Sequence, residues 1–429
     1  MVLAAALSAL LALSGTACPD TSDVHHASAD SVEATLVGFA RLPADTFAGG
    51  PPSGQYGDGV RGEAPRFPAQ PVQGFSGVQL ADSCGAFWAL SDNGFGAKGN
   101  SVDYRLQLHR IAPAFETAAS GPGTIRVLES VGLTDPDGHV PFPIANEGSA
   151  DRPLTGWDVD PEAVARLPDG SFWIGDEFGP FLLHVGPDGV VLGPPVATPD
   201  GRGGEVRSPQ HPALVASGPG PGEASRATIR ASGGFESLAL APGGDRLWAL
   251  LEGPVAGDPE GLLRLYTFDL DRRAFADSVR FYPLDQPDHL TGDMAVLNER
   301  EVLVIERDAR QGAEAQTKRL YRVDLASADD RGVLRKELVV DLLDLRNPHR
   351  LGGFGPRFRF PYVTVEGVLA LDAQTVLVLN DNNYRSTGGR GPDVVDATEV
   401  ILVRPARPLR LAPGIGLRPG CAVPASGDS

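Results

Sequence analysis

The chain has 429 residues, with 55 acidic against 37 basic side chains and a formal net charge of −18. That balance argues against a nucleic-acid partner, because phosphate backbones are gripped through Lys and Arg clusters. Hydrophobic residues make up 42%, enough for a large core, while 53 glycines and 38 prolines exclude a fold of long helices.

Met1 to Ala17 form an apolar stretch that ends in small residues just before Cys18. It is too short to span a bilayer comfortably and reads as the apolar part of an export signal. Thr16-Ala17-Cys18 resembles a bacterial lipoprotein cleavage site, which makes Cys18 the expected lipidated residue; cleavage nearby by the ordinary signal peptidase is the alternative. The expected location is therefore extracytoplasmic, secreted or lipid-anchored at the cell surface or periplasm, with membrane contact only through such an anchor. Residues 19–32 read as a flexible linker, 33–421 as one folded domain and 422–429 as a disordered tail.

Short apolar runs bounded by Gly, Pro, Asp and Asn recur through the folded region, which predicts an all-β fold. Five segments share one pattern, a strand opening on small or acidic residues, a turn, and a second strand closing on an acid. They are Phe75–Val78 with Trp88–Asn93, Pro161–Val164 with Phe172–Glu177, Phe235–Leu238 with Leu247–Glu252, Gly292–Met294 with Val302–Arg307, and Val365–Val368 with Val376–Asn383. Further strand-like runs follow, such as Tyr104–Leu108 and Thr124–Leu128 after the first pair, and Arg319–Val323 and Leu338–Leu342 after the fourth. Four antiparallel strands per unit around an axis define a β-propeller, with five blades the expected count and six allowed by the long insertions. The last unit lacks a fourth strand, which Ala34–Phe39 would supply from the N-terminus. The Gly- and Pro-rich stretches Gly49–Pro71 and Ala197–Ala224 read as a rim loop and an insertion.

With Cys18 assigned to export, Cys84 and Cys421 remain as a pair near the two ends of the folded region. Those ends meet in a ring-shaped fold, so a disulfide clasp is the expectation. No Cys-x-x-Cys spacing supports a zinc site.

In an antiparallel pair the start of one strand lies beside the end of the next. Repeated around a ring, this brings Asp92 and Asn93; Glu162, Asp176 and Glu177; Glu236 and Glu252; Glu306; and Glu366, Asp381, Asn382 and Asn383 to one mouth of the channel. Asp293 is the fourth unit's nearest match to the opening acid. Crowded carboxylates need shared protons, arginine or bound cations. Oxygen-only clusters with Asn amides suit a hard ion such as Ca²⁺ better than zinc. Asp92, Glu162, Glu177, Glu236, Glu252, Glu366 and Asp381 are the candidate metal ligands. Turn capping by the same acids is the competing reading. No Gly-x-Ser-x-Gly elbow, His-Glu-x-x-His motif or phosphate-binding Gly-rich loop is present.

The stretches GFSGVQL–FWALSDNG, DPEAVARLPDGSFWIGDEFGP, GGFESLALAPGGDRLWALLEGP, VLVIERD and VEGVLAL–LVLNDNNYR, spanning Gly74 to Arg385, resemble the bacterial phytase-like family, named for an esterase-like activity of phytase. The resemblance implies a β-propeller and, by analogy with propeller phytases, calcium-dependent hydrolysis of phosphate esters. Ser76 and Gly292 depart from the repeat acid, so not every unit can supply the same ligand. On this reading Glu306, Arg307 and Glu236 are the candidate catalytic residues, and Arg307, Asn93 and Asn382 would meet a small anionic ester. A monomer is expected. The alternatives are a non-catalytic ligand-binding surface propeller and a lactonase-type propeller enzyme.

Overall fold

The computed structural model describes residues 33–56, 65–216 and 226–422. The expected export signal with Cys18, the expected linker to residue 32 and the expected tail beyond residue 422 lie outside the described residues. The fold is all-β, 3% helical and 41% strand. No helix among the described residues is long and apolar enough to cross a membrane.

Five groups of antiparallel strands follow one another. The first comprises Phe75–Leu80, Phe87–Ser91, Gln107–Ala114 and Thr124–Gly132. The second comprises Pro161–Arg166, Phe172–Asp176, Phe181–Val185 and the two-residue edge Val196–Ala197. In the third, Phe235–Leu240, Arg246–Leu251 and Leu262–Asp269 are followed by an edge split between Ala274–Phe275 and Arg280–Pro283, both paired with Leu262–Asp269. The fourth is Leu290–Val296, Glu301–Arg307, Lys318–Asp324 and Arg335–Asp341. The fifth is Val365–Asp372, Thr375–Asn380 and Thr398–Arg404, completed by the N-terminal strand Thr35–Leu42. That strand also touches the first group through one parallel pair, Arg41 with Thr124, which joins the two groups into one sheet.

The first strands of the five groups contact one another in a closed cycle, first to second, third, fourth, fifth and back to first. Their side chains alternate, and each group packs on its neighbour through an apolar core. Trp88 and Leu90 meet Phe172 and Ile174 between the first two groups, and Trp173 meets Phe268 edge-on at 4.9 Å between the second and third. Truncating a buried aromatic such as Trp173 to Ala costs about 3–5 kcal/mol. The turns are local chemistry: in Pro168-Asp169-Gly170, Gly170 takes φ +91 and the Asp169 carboxylate accepts the Ser171 N–H at 2.9 Å.

At the far ends of the first strands, a cavity of about 310 Å³ is lined by Leu80, Leu240, Val296 and Leu369 and by Gly414–Gly416 of the C-terminal segment. This segment crosses between groups. Leu409 N–H donates to the Ala373 carbonyl, Ala412 N–H to Leu297 and Leu417 N–H to Leu371, at 2.7 to 2.8 Å. Cys421 is disulfide-bonded to Cys84, with Cα atoms 5.3 Å apart across a sequence separation of 337. The ends of the Gly49–Pro71 stretch are paired, Phe47–Ala48 with Gln70–Pro71. The second insertion includes a short helix, Pro212–Ala216.

Candidate functional site

Every first strand carries a bulge at its opening. The register jumps between Phe75 and Val78, Pro161 and Ala163, Phe235 and Ser237, Thr291 and Met294, and Val365 and Gly367. A bulge frees one residue from the ladder and re-aims its side chain. The residues in the bulges are Ser76 and Gly77, Glu162, Glu236, Gly292 and Asp293, and Glu366. The second-strand residues paired just before the bulges are Ser91, Asp176, Leu251, Glu306 and Asn380. The next residue along is therefore Asp92, Glu177, Glu252, Arg307 or Asp381. These two sets meet at one end of the ring.

Within the cluster the negative charge is unevenly compensated. On one side Arg307, only 4% exposed, places Nη2 3.0 Å from Glu252 Oε1, 3.0 Å from Glu366 Oε1 and 3.5 Å from Glu236 Oε1. Arg230 adds a second contact to Glu252, and Ser76 Oγ donates to Glu366 at 3.3 Å. Burial works against the charge on Arg307, but Glu366, Glu252 and Glu236 outweigh it and hold the guanidinium protonated.

On the other side stand Asp160, Glu162 and Glu177, each offering an oxygen within 4.8 Å of the others. Asn93 Nδ2 donates to Asp160 Oδ2 at 2.8 Å. Asp160 Oδ1, Glu177 Oε1 and, at the boundary between the halves, Glu236 Oε1 are buried with no hydrogen-bond partner. Burial and neighbouring like charges raise Glu162, Glu177 and Glu236 well above the ordinary carboxylate range. Burial lifts Asp160 to about 6, although hydrogen bonds from Glu162 and Asn93 oppose it. Asp92 and Asp381 rise to about 8, through burial and then chiefly through Asp160 and Asp92 respectively. Glu366 rises to about 8 through burial despite Arg307. Asp92 and Glu162 keep part of their surface exposed, so the cluster opens to solvent on their side. Unpartnered, oxygen-only donors in this number fit a hard cation.

All seven residues expected as metal ligands sit in this cluster; Glu306 does not. It pairs in the strand next to Arg307, and successive strand residues face opposite sides, so Glu306 turns away from the mouth. There it accepts from Tyr282 Oη, the Asp285 N–H and His289 Nδ1, each at 2.8 Å, and from Lys336. A catalytic role for Glu306 is thereby corrected to a buried structural anchor between the third and fourth groups.

Asn382 is likewise committed to the frame, its Oδ1 accepting the Gly74 N–H and its Nδ2 donating to the Asp396 carbonyl, both at 3.2 Å. Asn93 orients Asp160 while its Oδ1 accepts the Gly96 N–H at 2.9 Å. The amides of Asn93 and Asn382 thus organise the site instead of being free to meet a ligand. Asp176 and Asp293 behave as turn acids: Asp176 accepts the N–H groups of Asp160 and Gly179, and Asp293 those of Met294 and Val368.

Sequence reasoning missed Asp160, Arg230 and Lys98. Asp158, Asp160 and Glu162 recur at every second residue, a period that places them on one side of an extended chain. Lys98 lies over the Trp157 and Phe178 rings at 5.1 and 4.7 Å and donates to the Trp157 carbonyl. Nothing local in the sequence marks Arg230 or Lys98.

The family model for phytase-like proteins, described as esterase-like activity of phytase, matches residues 70–384. An uncharacterised secreted protein of the fungus Arthroderma benhamiae is 24% identical over 269 residues, 52% of this chain and 49% of that protein. The chain thus spans about half the length of the curated relative it matches. Among solved structures, a luciferin-regenerating enzyme overlaps 81% of this chain and 80% of its own, at 11% identity and TM-score 0.36. The calcium-binding protein regucalcin from Agrobacterium tumefaciens overlaps 80% and 92%, at 12% identity and TM-score 0.32. A GH43 β-1,3-galactosidase overlaps 77% and 90%, at 11% and 0.39.

Proposed function

This chain belongs to the phytase-like family, and from that premise we propose that it is an exported, Ca²⁺-dependent hydrolase of phosphate esters or related esters, working at the acidic mouth of a five-bladed β-propeller. The closed cycle of five first strands supports the propeller. The observation that carries the chemistry is the Asp160, Glu162 and Glu177 group, with buried, unpartnered oxygens, beside a buried arginine.

Asp160, Glu162 and Glu177 would hold the ion. A bound divalent cation screens an anionic ester, polarises it and makes a bound water more acidic. Glu236 borders this group; its Oε1 accepts no hydrogen bond and meets Arg307 Nη2 only at ion-pair distance, 3.5 Å, and burial raises its proton affinity, the property a general base needs. Arg307 ties down Glu252 and Glu366 and leaves Glu236 on its longest contact, 3.5 Å. Asn93 holds Asp160 in place. Arg307 Nε is buried without a hydrogen-bond partner, a donor not yet committed where negative charge would develop.

The expected substrate is a small anionic ester, met by a monomeric protein outside the cytoplasm. The secreted nature of the Arthroderma relative supports that location. The test is a panel of phosphomonoester, phosphodiester, carboxyl ester and lactone substrates, assayed with chelator and after Ca²⁺ is restored. Turnover of an ester that chelation abolishes and Ca²⁺ returns is expected. No turnover of any substrate at saturating metal would refute the enzymatic reading. One observation favours a non-catalytic ligand-binding mouth instead: three glutamates already engage Arg307. In that case chelation lowers the melting temperature and there is no activity to lose.

A further inference from the structure

Arg307 occupies, in the fourth group, the position that holds Asp92, Glu177, Glu252 and Asp381 in the other four. The bulge of the same group holds Gly292 and Asp293, and the acid there is already committed, accepting the N–H groups of Met294 and Val368. A Cβ on Gly292 would stand 2.3 Å from the Val365 carbonyl oxygen, so a side chain is sterically excluded there. The fourth group therefore offers a cation at one ring position and no free acid at the other. Nη2 of Arg307 lies within ion-pair distance of three carboxylates contributed by two other groups. A metal ion placed among those same three glutamates would have to sit against a fixed like charge.

The rest of the cluster narrows the choice further. Asp381 accepts the Asn383 N–H at 2.6 Å and Thr364 Oγ1 at 3.2 Å, and Asp92 accepts the Gly94 N–H at 2.8 Å and Gln73 Nε2 at 3.0 Å. Asp160 Oδ1 and Glu177 Oε1 in the triad and Glu236 Oε1 at its border are the cluster's buried carboxylate oxygens without a hydrogen-bond partner, and of these Glu236 Oε1 lies within ion-pair distance of Arg307. The amine of Lys98 is turned onto the Trp157 carbonyl.

We infer that this mouth binds a single divalent cation, at Asp160, Glu162 and Glu177, and that Arg307 is a built-in second cation for Glu236, Glu252 and Glu366. The inference rests on the metal reading above and adds the stoichiometry and its cause. Charge supplied by the chain itself takes the place of a second ion, so metal demand is halved while the glutamates stay fixed.

The experiment is calorimetric titration of the chelator-treated full chain with CaCl₂ alone. Wild type should bind one equivalent, and Glu162→Gln should weaken that binding at least tenfold. Glu366→Gln, which touches only the arginine half, should keep one equivalent. Arg307→Met should gain a second equivalent. Two equivalents in wild type, one of them removed by Glu366→Gln, would overturn the inference and leave the metal reading standing. One equivalent that Glu366→Gln abolishes and Glu162→Gln spares would overturn it too, and this comparison holds even if Arg307→Met does not fold. No binding in wild type would instead refute the metal reading itself.

Discussion

The same five strands end in two very different environments. At their openings, bulges turn Glu162, Glu236 and Glu366 into a cluster shared with Asp92, Glu177, Glu252 and Asp381, and several oxygens are left unpartnered. At their far ends the lining is Leu80, Leu240, Val296 and Leu369, covered by a C-terminal segment that the Cys84–Cys421 disulfide holds in place. The far end gains stability from burial and covalent closure. The near end forgoes it, concentrating like charges that Arg307 and Arg230 offset only in part. Buried groups left in such a state mark sites built for a ligand, with stability supplied elsewhere in the fold.

The sharpest way to break this contrast is Glu162→Gln. It should cut ester turnover about 1000-fold, ~4 kcal/mol of transition-state stabilisation, while the metal-free protein melts no lower than wild type. A rate within tenfold of wild type at saturating Ca²⁺ would contradict the assignment. The complementary change at the far end is the pair Cys84→Ser and Cys421→Ser. Opening so long a loop should cost about 4 kcal/mol in denaturant unfolding, with kcat/KM unchanged. Glu306→Gln tests the corrected role of that residue. Removing one partner from a buried ionic network should cost about 3 kcal/mol, and the folded fraction should retain full activity.

A pH series separates the two ends further. Asp92, Glu366 and Asp381 are raised to about 8 in the folded chain from the ordinary carboxylate range of about 4. Between those limits the folded state binds more protons than the unfolded one, so stability must fall as pH rises. The melting temperature of the chelated protein should therefore drop from about pH 5 to about pH 8, and saturating Ca²⁺ should flatten the slope. A melting temperature that rises with pH over that window in the chelated protein would show that the carboxylates are already compensated. The smallest effect is expected from Arg418→Ala. Its ion pair with Asp82 beside the far cavity is exposed and should be worth about 1 kcal/mol or less.

Much of the near end was legible in the sequence because strand period and turn chemistry are local. The paired runs and the acids at their ends follow from residues a few positions apart, and the N-terminal strand that completes the fifth group follows from the closure of the ring. The Glu306 error has an equally local origin. Glu306 and Arg307 both close the same strand, and only the register of the bulge decides which one faces the mouth. Asp160 lies just before its strand, outside the repeated pattern, yet its buried oxygen completes the triad. Arg230 reaches Glu252 from the insertion between groups, and the C-terminal cover of the far cavity depends on contacts made across the ring. Long-range placements of this kind leave no periodic trace.

The most direct measurement is the location of the ion itself, by anomalous diffraction from crystals grown with Mn²⁺ in place of Ca²⁺. One peak coordinated by Asp160, Glu162 and Glu177 is predicted, with Arg307 still paired to Glu252 and Glu366. A metal-saturated crystal with that triad empty, or with the ion seated among Glu236, Glu252 and Glu366, would contradict the account.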